Sequence, residues 1–144
     1  MGALPIDGIQ CNQSEGAVEH VHAHLELYDK GRPASIPDSI GIPPGMGCLY
    51  WIHTHTADGY IHIESPVKRP FTLGQFFDIW GQDLTWSTAG GVHAGNGRHL
   101  SIWVNGAAWH GHDPRSIVLS DHETIVVQNG PPFAKPAASD WDKM

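Results

Sequence analysis

The sequence has few basic residues and no long apolar run, and each absence excludes a class of function. Eight Lys and Arg stand against fifteen Asp and Glu, which gives a formal net charge of −7 at pH 7. Nucleic-acid binding requires a basic stripe, so we expect no nucleic-acid partner. No apolar run approaches the roughly 20 residues of a transmembrane helix, so we expect no membrane span in this chain. The oligomeric state is left open.

Cysteine is also scarce, with only Cys11 and Cys48 in the chain. There is no Cys-x-x-Cys and no His-Glu-x-x-His, which excludes zinc-ribbon and zincin sites. If the protein is exported, we expect the two thiols to form one disulfide, with Cα atoms within about 7 Å of each other. The alternative is two unrelated buried thiols.

What the chain does contain is enough apolar material for a single folded domain. It has 144 residues, of which 40% are hydrophobic and 16% charged. This length and balance suit one domain with a real hydrophobic core and do not suit disorder throughout.

Alternating polar and apolar residues predict several short strands. The alternation from His20 to Leu27 is typical of a half-buried strand. After an Asp-Lys-Gly turn, residues 33–37 return as a short edge strand that begins with Pro33. Further strands are predicted over 99–104 and 107–109, joined by an Asn105-Gly106 turn, and over 117–119 and 124–128.

One short helix is predicted over residues 72–80. Thr72 is a good N-cap, and Gln75 three residues later completes a capping box. Apolar residues recur at i, i+3, i+4 and i+7, so we expect Phe77 and Trp80 to be buried against the sheet. Gly81 ends the helix. The elements together predict a mainly β, α+β domain, β-grasp-like, in which short hairpins form an antiparallel sheet. A small cupin-like β-barrel is the alternative.

Histidine is abundant, with 11 residues, and four potential metal ligands lie on one predicted hairpin. His53 and His55 are two residues apart, so in a strand their side chains point to the same face. His62 and Glu64 repeat this spacing. A two-residue loop at Asp58-Gly59 pairs His55 with His62, whereas a four-residue loop pairs His53 with His62. Both registers bring all four side chains to one face.

This pattern predicts a transition-metal site, because imidazole and carboxylate together suit copper, zinc and iron. The first ligands are His53, His55 and His62, and His22 or His24 completes the site from a neighbouring strand. Copper is the first choice, because an imidazole-rich set suits Cu(II) and copper leads the affinity order, with zinc or iron as alternatives.

Three classes of function fit such a site. The first is metal handling without catalysis. The second is a mononuclear metal-dependent oxidoreductase or hydrolase. There Glu64 acts as a catalytic acid or base, and Trp51 and Tyr60 hold a substrate. As part of the metal site itself, Glu64 is either a fourth ligand or an acceptor that fixes a His tautomer. The third is a structural or interaction module without metal, whose His face responds to pH.

Four stretches resemble an uncharacterised family of bacterial proteins: His-x-His-Leu, Tyr-Trp-Ile-His-Thr-His, Ile-His-Ile-Glu-Ser-Pro and Thr-Leu-Gly-Gln-Phe-Phe-Asp-Ile-Trp-Gly. The resemblance covers roughly residues 5–85. It implies no activity, but it implies that the His hairpin and the helix belong to one module. Members are often exported behind one N-terminal anchor, so we expect an extracytoplasmic location, periplasmic or at the cell surface. This chain shows neither anchor nor signal peptide, and a cytoplasmic location is the alternative.

The chain is therefore expected to have three parts. Residues 1–17 lack periodicity and form an irregular N-terminal arm. Residues 18–130 form a single metal-binding domain. Residues 131–144 form a mobile tail.

Overall fold

The computed structural model describes residues 3–144 and is mainly β with one short helix, as predicted. The helix α1 spans Leu73–Trp80, and two short 3-10 turns span Pro114–Ser116 and Trp141–Lys143. The strands are β1 (Cys11–Asn12), β2 (Glu19–Asp29), β3 (Arg32–Ala34), β4 (Leu49–Tyr50), β5 (Ile52–His53), β6 (Tyr60–Ser65), β7 (Thr88–Ala89), β8 (Val92–His93), β9 (His99–Val104), β10 (Ala107–Trp109) and β11 (Glu123–Gly130). None of the helices in the described residues has the length and apolar character needed to cross a membrane.

Seven strands form one open sheet in the order β10-β9-β11-β2-β6-β5, with β3 paired to the end of β2. The long strands β2 and β11 lie parallel at the centre, and the other pairs in this sheet are antiparallel. The mainly β content and the single helix confirm the predicted α+β class, and the central parallel pair is a departure from the predicted antiparallel sheet. The sheet does not close, so the cupin-like alternative is wrong.

One face of this sheet is apolar and packs against α1. Leu25 of β2, Ile61 of β6 and Ile125 of β11 are fully buried on it. Phe77 is also fully buried, as predicted, while Trp80 is partly buried with its ring centroid 5.3 Å from that of Phe77. Burial of these side chains is the main stabilising term for the fold.

The local signals at both ends of α1 are confirmed. The Thr72 hydroxyl accepts a hydrogen bond from the Gln75 N–H, and the Gln75 side chain accepts one from the Thr72 N–H. Gly81 follows with φ of 80°, the left-handed conformation that glycine adopts most easily. The helix therefore begins and ends where its sequence predicts.

Two predicted strands differ from those observed. The edge strand after β2 is Arg32–Ala34, so Pro33 lies inside it and the strand ends before residue 35. Residues 117–119 form no named strand, because Val118 makes only an isolated bridge with Thr72, at the start of the helix. Two backbone bonds flank that bridge, from the Leu73 N–H to the Ile117 carbonyl and from the Leu119 N–H to the Phe71 carbonyl.

The predicted disulfide is present. Cys11 and Cys48 are bonded, with their Cα atoms 5.3 Å apart. Next to it β1 pairs with β4, where Cys11 lies opposite Tyr50. The N-terminal arm, predicted to be irregular, thus contains a two-residue strand and is attached to the segment that leads into the His hairpin.

The C-terminal segment 131–144 lies against the polar face of the sheet. The Ala134 N–H donates to the Gln128 side chain over 2.7 Å, and the Asp140 N–H donates to the Tyr60 hydroxyl over 2.6 Å. Trp141 stacks on His122 with ring centroids 4.6 Å apart. The segment therefore lies on the polar face of the sheet, which also carries the histidines. Its predicted mobility stays a prediction.

Candidate metal centre

Three histidines form a row across neighbouring strands. The hairpin of β5 and β6 has the register of the four-residue loop, so His53 lies opposite His62. On the other side of β6, His62 lies opposite His22 of β2. Because directly opposed residues point to the same face of a sheet, the rings meet. Ring centroids are 4.8 Å apart for His22 and His62, and 5.7 Å apart for His62 and His53.

The carboxylate of Glu64 lies among these rings. Glu64 follows His62 on the same face of β6 and lies opposite His20 of β2. Its Oε1 atom is 3.5 Å from Nε2 of His53 and 3.4 Å from Nδ1 of His62. Only 6% of the Glu64 side chain is exposed, so this oxygen faces ring nitrogens in place of bulk water.

The protonation of His53 follows from its backbone contact. Its Nδ1–H donates to the Tyr50 carbonyl over 2.7 Å, which leaves the lone pair on Nε2 of the neutral ring. Nε2 is buried and has no hydrogen-bond partner within residues 3–144. Burial lowers the pKa of His53, so its contact with Glu64 is not an ion pair at neutral pH. Two lone-pair atoms facing each other in a buried space are stabilised by a cation between them.

The other rings of the row are also neutral at physiological pH. Burial, followed by the charges of the neighbouring histidines, lowers the pKa of His62 to about 3. Burial and the neighbouring His20 lower the pKa of His22. A neutral imidazole keeps one lone pair free for a metal, so these shifts favour ligation.

His55 and Glu15 lie at the solvent side of the cluster. His55 is beyond the end of β5, and its ring centroid is 4.8 Å from that of His53 and 4.6 Å from that of His62. Its Nε2 is 3.6 Å from Oε1 of Glu15, and the two side chains are 40% and 42% exposed. Glu15 was not predicted, because the arm has no periodicity. The only sequence feature near Glu15 that indicated its position was Cys11, four residues earlier, whose disulfide attaches the arm to the domain.

The structure thus brings together most of the predicted ligands and adds Glu15 and His20 to them. The ligand atoms of Glu15, His53, His55 and Glu64 lie within 4.8 Å of one another, and so do those of His20, His22 and Glu64. These side chains are close enough together to hold a metal ion.

His24, by contrast, is not brought to this cluster. Its Nε2–H donates to the Asp58 carbonyl, and its Nδ1 forms a hydrogen bond with the Ser139 hydroxyl; both distances are 2.8 Å. Its ring stacks on Tyr60 with centroids 3.9 Å apart. With both nitrogens engaged, His24 supports the C-terminal segment, and His22 is the histidine of β2 that meets His62 directly.

The two predicted substrate-binding aromatics are also engaged elsewhere. The chain bends at Trp51, between β4 and β5, so the strand alternation that predicted its direction is interrupted. Trp51 is 6% exposed and packs in the core against Phe71, with Arg69 over its ring. Tyr60 is on the ligand face of β6, but it contacts His24 and the C-terminal segment.

Comparison of the chain with protein-family models, with curated proteins and with solved structures finds no match. The chemistry of the cluster is therefore the basis for a functional conclusion. It combines buried imidazole and carboxylate groups on one side with exposed ones on the other. Such a set can hold a metal ion and leave one side of it accessible to solvent.

Proposed function

We propose that this protein binds a transition-metal ion between His53, His55 and Glu64, with His62 and Glu15 beside them. The observation that supports this most strongly is the buried Nε2 of His53. It carries a lone pair, lacks a hydrogen-bond partner in the described chain, and faces the Glu64 carboxylate at 3.5 Å. A bound cation would satisfy both groups at once.

A metal explains this arrangement better than a pH-sensitive face does. A pH switch needs imidazoles that gain a proton between about pH 5 and 8. The pKa of His62 is about 3, and burial lowers that of His53 as well. His62 therefore stays neutral through that range, and the lowered pKa of His53 favours its neutral form at physiological pH, as metal ligation requires.

The ligand chemistry favours copper in the +2 state, with zinc and iron as alternatives. Both cysteines are in the disulfide, so no thiolate is available for a soft metal. Neutral imidazoles with carboxylates match the preferences of Cu(II), Zn(II) and Fe(II), and copper leads the affinity order.

Metal handling is the function that the surroundings favour over catalysis. The exposed His55 and Glu15 leave one side of the ion open, which suits metal exchange as well as a reaction. However, Trp51 is buried in the core, so one of the two side chains predicted to hold a substrate does not line this opening. Glu64 then serves as a ligand.

An extracytoplasmic location is part of the proposal. The Cys11–Cys48 disulfide supports it, because such bonds persist mainly in oxidising compartments. An exported metal-handling protein would meet metal ions without the competition of cytosolic thiols.

The test is metal binding by protein purified without a histidine tag and stripped of metal. Native mass spectrometry after addition of Cu(II) or Zn(II) should show bound metal at stoichiometric level. His53→Ala with His55→Ala should remove one ion per chain. His110→Ala with His112→Ala is the matched control, because it removes another His-x-His pair from an exposed loop and should change nothing. Equal metal content in the wild type and the His53/His55 variant would overturn the proposal.

A further inference from the structure

We infer that the histidine face holds two metal ions that share Glu64 as a bridging carboxylate. This inference rests on the proposed function, because the first ion is the one proposed there. The second ion would lie between β2 and β6, at His20 and His22. No local sequence pattern predicts two ions instead of one, because the ligands of the second ion come together only when β2 pairs with β6.

Each ion has its own set of ligands. The first group comprises Glu15, His53 and His55, and the second comprises His20 and His22. Glu64 is the one residue that belongs to both groups, and in each group the ligand atoms lie within 4.8 Å of one another. Two sets that meet at a single carboxylate are the arrangement of a carboxylate-bridged metal pair.

Glu64 is positioned for this role by its strand. It lies opposite His20 across β2 and β6, while its Oε1 approaches His53 and His62 on the other side. A carboxylate has two oxygens and about four lone-pair positions, so it can bind two cations. Its 6% exposure keeps water from competing for those positions.

His62 lies at the boundary between the two groups. Its ring centroid is 4.8 Å from that of His22 and 4.6 Å from that of His55, and its Nδ1 is 3.4 Å from Glu64 Oε1. It therefore lies next to both groups, although its ring nitrogens belong to neither. Without His62, each group still has two imidazoles and at least one carboxylate, and no histidine is common to both groups.

Carboxylates beside Glu64 would offset the charge of two cations. Glu15 belongs to the first group. At the second, the Asp121 carboxylate accepts a hydrogen bond from the His22 backbone N–H over 3.0 Å. A pair of divalent ions would thus have Glu64 between them, Glu15 at the first ion and Asp121 near the second.

The first test is the number of ions bound per chain, measured by native mass spectrometry with Cu(II) and again with Zn(II). The wild type and the His110→Ala/His112→Ala control should bind two. His20→Ala with His22→Ala should bind one, and so should His53→Ala with His55→Ala. Because His53 is buried, His55→Ala alone is a second variant that keeps the packing of β5.

The outcomes separate this inference from the proposed function. A wild type that binds one ion, lost with His53 and His55 but kept without His20 and His22, overturns the second ion and leaves the first. A wild type that binds none overturns both.

The second test concerns the sharing of Glu64. Glu64→Gln keeps the size of the side chain but removes its charge, so the affinity for both ions should fall at least tenfold. Glu26→Gln is the matched control. Glu26 lies on the face of β2 that carries His20 and His22, but outside the cluster, and it accepts a hydrogen bond from the Tyr28 hydroxyl. An unchanged affinity for either ion in Glu64→Gln would show that the carboxylate is not shared.

Discussion

His53 and Glu64 approach each other from neighbouring strands, with Nε2 and Oε1 3.5 Å apart and the proton of the His53 ring directed away, to the Tyr50 carbonyl. In the metal-free protein this leaves a buried acceptor facing another acceptor. Such a contact costs stability, and a cation removes the cost. Metal binding, as proposed, would therefore be coupled to folding at this pair.

The first prediction is that metal stabilises the fold. A ligand that binds only the folded state at 100 times its Kd stabilises by about 2.7 kcal/mol. Thermal unfolding of the metal-free protein should shift to higher temperature when Cu(II) or Zn(II) is added. The shift should shrink in His53→Ala/His55→Ala and persist in His110→Ala/His112→Ala. A shift of equal size in both variants would place the stabilising ion elsewhere.

The second prediction concerns the core. Phe77 is fully buried between α1 and the sheet, so Phe77→Ala should lower the free energy of unfolding by about 3–5 kcal/mol. Metal content per folded molecule should not change, because Phe77 lies on the face opposite the histidines. Leu4→Ala is the control, since Leu4 is 81% exposed and its truncation should cost little. Urea denaturation measures both, and equal effects would show that Phe77 is not a core residue.

The third prediction is a pH dependence of stability that originates at Glu123. Burial raises the pKa of this carboxyl, and its Oε1 has no hydrogen-bond partner in the described chain. The folded state therefore binds the proton more tightly than the unfolded state does. The stability that this tighter proton binding contributes is fully present below the unfolded-state pKa of about 4.5. It is lost as the pH rises through the raised pKa of the folded state.

Glu123→Gln tests this directly in metal-free protein. The variant has no proton to lose at this side chain. Its free energy of unfolding, relative to that of the wild type, should therefore be higher at pH 7 than at pH 4. Asp83→Asn changes an exposed carboxyl and should alter stability little at either pH. Denaturation curves at the two pH values provide the measurement, and a difference for Glu123→Gln that does not vary with pH would rule out this effect.

The fourth prediction concerns the C-terminal segment. Tyr60→Phe removes the hydroxyl that accepts the Asp140 N–H but keeps the ring that stacks on His24. Hydrogen exchange at the Asp140 amide should become faster. The Ala134 amide, which donates to Gln128, serves as an internal control and should keep its protection. Fast exchange at both amides in the wild type would instead support the mobile tail that composition predicts.

Much of the candidate site could be predicted because strand geometry repeats every two residues. His53, His62 and Glu64 share a face in either register of the hairpin, so their grouping did not depend on the loop. The choice between a two- and a four-residue loop was not available from the sequence, because Asp58-Gly59 suits both. The capping box at Thr72 and the turn at Asn105-Gly106 were equally local and were confirmed.

The rest depends on contacts between distant parts of the chain. Glu15 reaches His55 because the disulfide attaches the arm near β4, and no local pattern encodes that path. His24 is engaged by Ser139, which is 115 residues away. Trp51 turns into the core because the chain bends there, whereas the alternation of an unbroken strand predicts the opposite direction. The parallel pairing of β2 with β11 is likewise a long-range contact.

The most direct measurement of the central claim is a crystal structure of the metal-loaded protein with anomalous diffraction data at the absorption edge of the metal. We predict an anomalous peak beside His53 Nε2 at about 2.0–2.2 Å, with Glu64 among the ligands. A peak confined to other histidines, such as His110 and His112, or no peak at His53 in crystals grown with excess Cu(II) or Zn(II), would contradict the claim.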